Sequence, residues 1–229
     1  MPSPIESMRI VAKRLEPLDV PFAFVGGAVV CLLVDDPNLV EIRPTKDVDV
    51  IVEVVTLSGY YALEERLRAV GFQHDQSEGA PICRWIVDGC RVDVMPINSF
   101  LGMNSKWFAE AIEYSKAVDL REECTARVIT PPLFLATKLE AFKDRGKGDF
   151  YASHDLEDII TIMDGRASIV EEIASLPPPI REFIANQFNR FLDEPDFHDA
   201  FPGHLSGISG ARQRADLVKS RFVAIAALK

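Results

Sequence analysis

The chain has 229 residues, enough for one large domain or two small ones, and its 48% hydrophobic and 26% charged content excludes a disordered, collagenous or fibrous chain. Its 25 Lys and Arg stand against 35 Asp and Glu, a net charge of -10, so no global basic field exists to hold long nucleic acid by counterion release. No run approaches the ~20 apolar residues of a membrane span. The opening MPSPIESMRIVAKRLEP lacks the apolar core and basic flank of an export signal, so the expected address is cytoplasmic. Cys31, Cys83, Cys90 and Cys124 show no zinc-ligand spacing and are expected to be reduced thiols, mostly buried.

Apolar side chains at Ile5, Met8, Ile10, Val11 and Leu15 predict a first helix before the break at LDVP. Phe22 to Val25 is a short run of strand formers that passes straight into Gly26, Gly27 and the apolar segment AVVCLLV, predicting strand, tight turn and helix. The polar connection DDPNLVEIRPTK leads to a strand from Asp47 to Val54. Period two there places Val48, Val50, Val52 and Val54 on one face, with Asp47 and Asp49 on the other. A helix over 58–70 follows, with Gly71 as its stop. Ile82 to Val87 and Cys90 to Met95 read as strands joined by Asp88-Gly89, a dipeptide favoured in two-residue hairpins. Two more short runs, 117–120 and 126–129, flank the charged turn REEC. Thr130 as N-cap, with Pro131 and Pro132 in the first turn, starts a helix through LFLATKLEAFKDR. Beyond it strand signals vanish, and helices are predicted over 154–163, 167–176, 180–192 and 210–228. The expected architecture is α/β (α+β): a mixed-sheet head over residues 1–130, followed by an all-helical domain over 131–229.

Asp93 stands between Val92 and Val94, facing away from both. If its strand neighbours the one that carries Asp47 and Asp49, three carboxylates converge at one sheet edge. Like charges so placed need neutralising, and a hard divalent cation, Mg²⁺ by default, does this through oxygen ligands. Two such ions ~4 Å apart activate an attacking oxygen and stabilise a leaving pyrophosphate in an in-line displacement at phosphorus. Glycines at a helix start present N–H groups to phosphate with no side chain in the way.

The segments FVGGAVV, RPTKDVDVIVEV and CRVDVMP resemble the glycine-pair motif, DxD strand and third-carboxylate strand of the polymerase-β-type nucleotidyltransferase superfamily. With PPLFLATKLEAFKDR and HDLEDI added, the chain is similar to AbiEii-like bacterial nucleotidyltransferase toxins over about residues 20–165. The resemblance implies an enzyme of the EC 2.7.7 type, which moves a nucleoside monophosphate from an NTP such as ATP to a hydroxyl acceptor. It implies Asp47 and Asp49 as ligands of two Mg²⁺ ions and Asp93 as the third ligand and base for the incoming hydroxyl. Gly26 and Gly27 become the phosphate-binding turn, Lys138 a phosphate-contacting lysine, and Asp155 part of a late acidic motif. Thr45, just ahead of the acidic pair, is a nucleotide-contact candidate whose hydroxyl equally serves to close a turn. An RNA acceptor such as a tRNA end, with an antitoxin protein as partner, follows from the toxin-like resemblance. The acidic charge suits instead a cationic small molecule, as in antibiotic-modifying members of the superfamily. A third reading is a nucleotide- or partner-binding module without turnover. Two departures stand out: nineteen residues lie between Gly27 and Asp47, which implies an inserted loop in DDPNLVEIRP, and His154-Asp155 stands where members often carry Arg-Asp.

Several residues have plainer readings as well. Asp93 also reads as an edge-strand acid paired with Arg84 or Arg91, and Arg43 either contacts phosphate or screens the acidic cluster. Lys138, at helical offsets from Leu135, Leu139 and Phe142, also reads as a snorkelling surface lysine. Lys143, Arg145 and Lys147 form the best local candidate for contacting a polyanion. His74, His154, His198 and His204 show no metal-ligand spacing, and Trp85, Trp107 and the fourteen phenylalanines are expected to fill core.

Overall fold

The computed structural model describes residues 2–98, 105–144, 148–205 and 210–228. The chain divides into two units, Met1–Val29 with Pro44–Thr130, and Val30–Arg43 with Pro131–Lys229.

In the first unit, α1 (Pro4–Leu15) begins with a reciprocal cap: the Ser3 hydroxyl accepts from the Glu6 N–H, and the Glu6 carboxylate accepts from the Ser3 N–H. Met8, Val11, Ala12 and Leu15 recur at three- and four-residue spacing and form its buried stripe. β1 (Phe22–Val25) pairs antiparallel with β2 (Asp47–Val52). α3 (Leu57–Ala69) is capped by Thr56, which accepts from the Gly59 N–H, and buries Tyr60, Leu63 and Leu67. Next come β3 (Gln73–His74), β4 (Arg84–Val87) and β5 (Cys90–Pro96). The β4–β5 hairpin turns at Asp88 and Gly89 with φ of 47° and 79°, the two positive values that a type I′ turn requires. After α4 (Phe108–Glu113), β6 (Lys116–Asp119) and β7 (Thr125–Val128) form a second hairpin.

These strands make one seven-stranded mixed sheet in the order β3-β4-β5-β2-β1-β7-β6. The β2–β5 and β1–β7 pairs are parallel and the others antiparallel. Val48, Val50 and Val52 are buried as period two predicts, and Ile51 is buried as well, so β2 is covered on both faces beyond Asp49. Its polar positions are confined to its N-terminal end.

The second unit is helical: α2 (Val30–Leu33), α5 (Pro131–Asp144), α6 (His154–Gly165), α7 (Ile169–Ala174), α8 (Pro178–Asp193), α9 (Pro195–Ala200) and α10 (Ala211–Ala226). Sequence reading placed residues 30–43 in the first domain, yet they group with these helices. The Asp35 N–H donates to the Gly165 carbonyl at 2.9 Å, and the Asp35 carboxylate accepts from the Ala167 N–H at 2.8 Å. The Thr161 hydroxyl donates to the Glu41 carbonyl at 3.2 Å. Gly165 lets the segment approach, since a Cβ there would lie 2.8 Å from Val34 and 2.9 Å from Val40. Phe142, Phe150, Phe188, Phe191, Phe197, Phe201 and Phe222 pack together, with neighbouring ring centroids 4.5 to 6.2 Å apart. Among the described residues no helix is long and apolar enough to cross a membrane. All four cysteines are free thiols, Cys31 half-buried and the others buried.

Candidate active site

Parallel pairing of β2 with β5 sets Asp49 directly beside Asp93, and period two puts Asp47 on the same face. Asp47 and Asp49 are half-buried and Asp93 is buried. Across the other edge of β2, the antiparallel register sets Val25 against Asp49, so the chain leaves β1 through Gly26 beside that carboxylate. Gly26 has φ +69°, and a Cβ there would lie 1.8 Å from Asp49 Oδ2 and 2.5 Å from its Cγ. Both the left-handed backbone and the close approach demand a residue without a side chain. In place of the helix predicted over AVVCLLV, Gly27–Val29 is a 3₁₀ turn and α2 is four residues long. So short a helix carries little macrodipole.

One cation already sits among these acids. Arg84 on β4 lies in register with Asp93; its Nε donates to Asp93 Oδ1 at 2.7 Å and its Nη2 to Asp93 Oδ2 at 2.7 Å. The same Nη2 also donates to Asp47 Oδ2 at 2.9 Å. Hydrogen bonding to Asp93 outweighs burial and holds the guanidinium above its ordinary pKa. Asp93 therefore has both of the relationships read from the sequence, a place beside Asp49 and an ion pair with Arg84. The Thr45 hydroxyl donates to Asp47 Oδ1 at 3.1 Å, so it orients that carboxylate. Burial, and then the charges of Asp93 and Asp49, push the Cys83 thiol up to about 12, which keeps it protonated and inert as a nucleophile.

The donor chemistry of this face suits a hard cation, with carboxylates on neighbouring register positions. As the side chains stand, no group of three or more His, Cys, Asp and Glu among the described residues is arranged to hold a metal ion. Both oxygens of Asp93 and one of Asp47 are turned to the guanidinium instead.

Lys138 and Asp155 meet in the second unit. The ammonium is buried, 3.0 Å from Asp155 Oδ1 and 2.6 Å from Asp158 Oδ2, and does not snorkel. Burial lowers its pKa, but the two carboxylates outweigh that and hold it above the ordinary value. Arg43 Nη2 lies 3.6 Å from Asp158 and Arg43 Nε lies 3.7 Å from Glu157, so Arg43 belongs to this second acidic group. Sequence reasoning missed Asp158, although it shares a face of α6 with Asp155 at three-residue spacing. Replacing Lys138 with Met removes the cation nearest to both buried carboxylates and leaves Asp158 with Arg43 at 3.6 Å, and the expected loss is about 3 kcal/mol, read from the urea midpoint. Because the folded pKa is raised, this stabilisation is full below the unfolded value of ~10.4 and is lost as pH climbs through the folded one.

Of the basic stretch, Lys143 closes α5, whereas Arg145 and Lys147 lie outside the described residues. His74 stacks on Trp85 with centroids 3.6 Å apart, His154 meets Glu157 at 2.8 Å, and His198 and His204 bond the Leu192 and Phe150 carbonyls.

No family model matches this chain, and no curated protein matches it. Among solved structures it is similar to an antigenic nucleotidyltransferase-like protein from Paracoccidioides brasiliensis, with 19% identity and a TM-score of 0.51 over 86% of this chain and 91% of that one. It is also similar to JHP933 from Helicobacter pylori, with 12% identity and a TM-score of 0.48 over 96% of this chain and 89% of that one. The structure of ANT(2")-Ia in complex with adenylyl-2"-tobramycin matches at 11% identity and a TM-score of 0.48, over 82% of this chain and 98% of that one. The first shows the fold, which is that of a nucleotidyltransferase-like protein.

Proposed function

We propose that the protein transfers a nucleoside monophosphate from an NTP to a hydroxyl group, with release of pyrophosphate, at the face formed by Asp47, Asp49 and Asp93. The observation that carries this reading is the register: Asp49 beside Asp93, Asp47 two residues back, and Gly26 bent against Asp49. Mg²⁺ ions held by these three carboxylates would neutralise the triphosphate and the departing pyrophosphate. Asp93, beside Asp49 in the register, would take the proton of the acceptor hydroxyl once that hydroxyl is aligned. Gly26 and Gly27 let the triphosphate approach the backbone closely, and Thr45 fixes Asp47. Lys138 is already neutralised by Asp155 and Asp158, so the reading rests on residues of the first unit. The cytoplasm, with its NTP and Mg²⁺, is the proposed place of action.

A charge of -10 disfavours a long polynucleotide and attracts a cation, which favours a cationic small-molecule acceptor. A second reading, an RNA-modifying toxin with a cognate antitoxin, rests on the resemblance of RPTKDVDV and HDLEDI to AbiEii-like proteins. To test these, the protein is incubated with each α-phosphate-labelled NTP and Mg²⁺, beside either cationic aminoglycosides or total RNA. Label is expected on the small cation, at a rate that falls as salt rises. Label on RNA would select the second reading, and bound nucleotide with no transfer to any acceptor would mark a non-catalytic module.

A further inference from the structure

We propose that Arg84 is a built-in counter-ion that a divalent metal has to displace before Asp47 and Asp93 become its ligands. The inference rests on the metal reading of the same face given above. Arg84 does more than form a surface pair. Its fork engages both oxygens of Asp93, and the nitrogen that completes the fork also bridges to Asp47, so a single cation joins two of the three carboxylates where a shared ion would sit.

A guanidinium cannot leave such a position by losing its proton, since it stays charged at any pH the protein meets. It leaves only by moving. Mg²⁺ demands a near-ideal octahedron of oxygens at about 2.0–2.1 Å. Guanidinium nitrogens 2.7 to 2.9 Å from the same oxygens crowd that shell, and their charge repels the ion. The surroundings offer the displaced group another anion. The Asp75 N–H donates to the Arg84 carbonyl at 3.1 Å, so the two residues are neighbours. The Asp75 carboxyl is held below its ordinary pKa, first by hydrogen bonds from Ser77 and then by Arg91 and Arg84. Arg84 therefore sets how much metal is needed to open the site: with little metal the acids stay paired to the guanidinium, and with more they are released to the ion.

The test is Mn²⁺ binding to the full chain, with free ion counted by electron paramagnetic resonance and no substrate present. Arg84→Gln is expected to lower the Mn²⁺ dissociation constant at least ten-fold. Arg84→Lys, which keeps the charge but loses the fork, is expected to fall between it and wild type. Thermal melts provide a second readout: Mn²⁺ is expected to raise the melting temperature of Arg84→Gln by more than that of wild type. Should Arg84→Gln fail to fold, Arg84→Lys decides, by a dissociation constant lower than that of wild type. Dissociation constants unchanged or raised in both variants would overturn the proposal, because Arg84 would then serve to hold Asp93 ready for metal. If wild type binds Mn²⁺ and Asp49→Asn does not, while the Arg84 variants match wild type, the counter-ion role alone fails. If neither wild type nor any variant binds Mn²⁺, the metal reading fails and takes this inference with it.

Discussion

Replacing Asp49 with Asn is expected to lower kcat by roughly 10³-fold or more, on the scale of several kcal/mol of transition-state charge stabilisation that a metal site supplies. The melting temperature is expected to stay near wild type. Asn has the same shape, so it keeps the contact with the Gly26 backbone, where a Cβ would lie only 1.8 Å from the Asp49 carboxylate oxygen. What disappears is the negative charge at the position flanked on one side by the glycine turn and on the other by Asp93. Single-turnover transfer and a thermal melt together check this. Activity within ten-fold of wild type would remove Asp49 from the chemistry.

Gly26→Ala is expected to lower activity about as far, by a different route. An alanine at φ +69° is strained by about 1–2 kcal/mol, and its Cβ cannot coexist with the Asp49 side chain in its present place. The variant has to shift the turn or expel the carboxylate, with a total stability loss of about 1–3 kcal/mol typical of overpacking. The clash is specific, so the two positions should be coupled. Adding Asp49→Ala to Gly26→Ala is expected to recover part of the loss, a non-additivity of about 0.5–3 kcal/mol in a double-mutant cycle of urea midpoints. Strict additivity would show that the turn and the carboxylate do not press on one another.

Much of this site was legible because its signals are local. The valine alternation from Val48 to Val52 and the Asp88-Gly89 turn each report a backbone geometry that neighbouring residues alone impose. The face on which Asp47 and Asp49 lie follows from the same period. Strand order is not local. That β5 lies parallel to β2 with Asp93 beside Asp49 is decided by the packing of the whole sheet, and the sequence admitted it only as a condition. For the same reason Arg84 remained one of two partners for Asp93, since the choice turns on the β4–β5 register.

The packing partners of residues 35–43 were not legible, because a polar, Pro-containing stretch has no periodicity and its anchors at Thr161, Gly165 and Ala167 lie far along the chain. The apolar run AVVCLLV looked helical throughout, but its first part is a 3₁₀ turn. Two-residue β3 and six-residue α4 are too short to show a period. The Lys138 network escaped in part because three-residue spacing on α6 marks a shared face without saying that the face is buried against a lysine.

Asp47, Asp49 and Asp93 are expected to receive metal and nucleotide together. The decisive measurement is a crystal grown with Mn²⁺ and a nonhydrolysable NTP, in which Mn²⁺ is located by its anomalous scattering. Mn²⁺ is expected in bonding contact with these three carboxylates, the triphosphate against Gly26 and Gly27, and Arg84 turned away from Asp93. Manganese and nucleotide bound elsewhere, with Arg84 still paired to Asp93 and Asp47, would contradict this expectation.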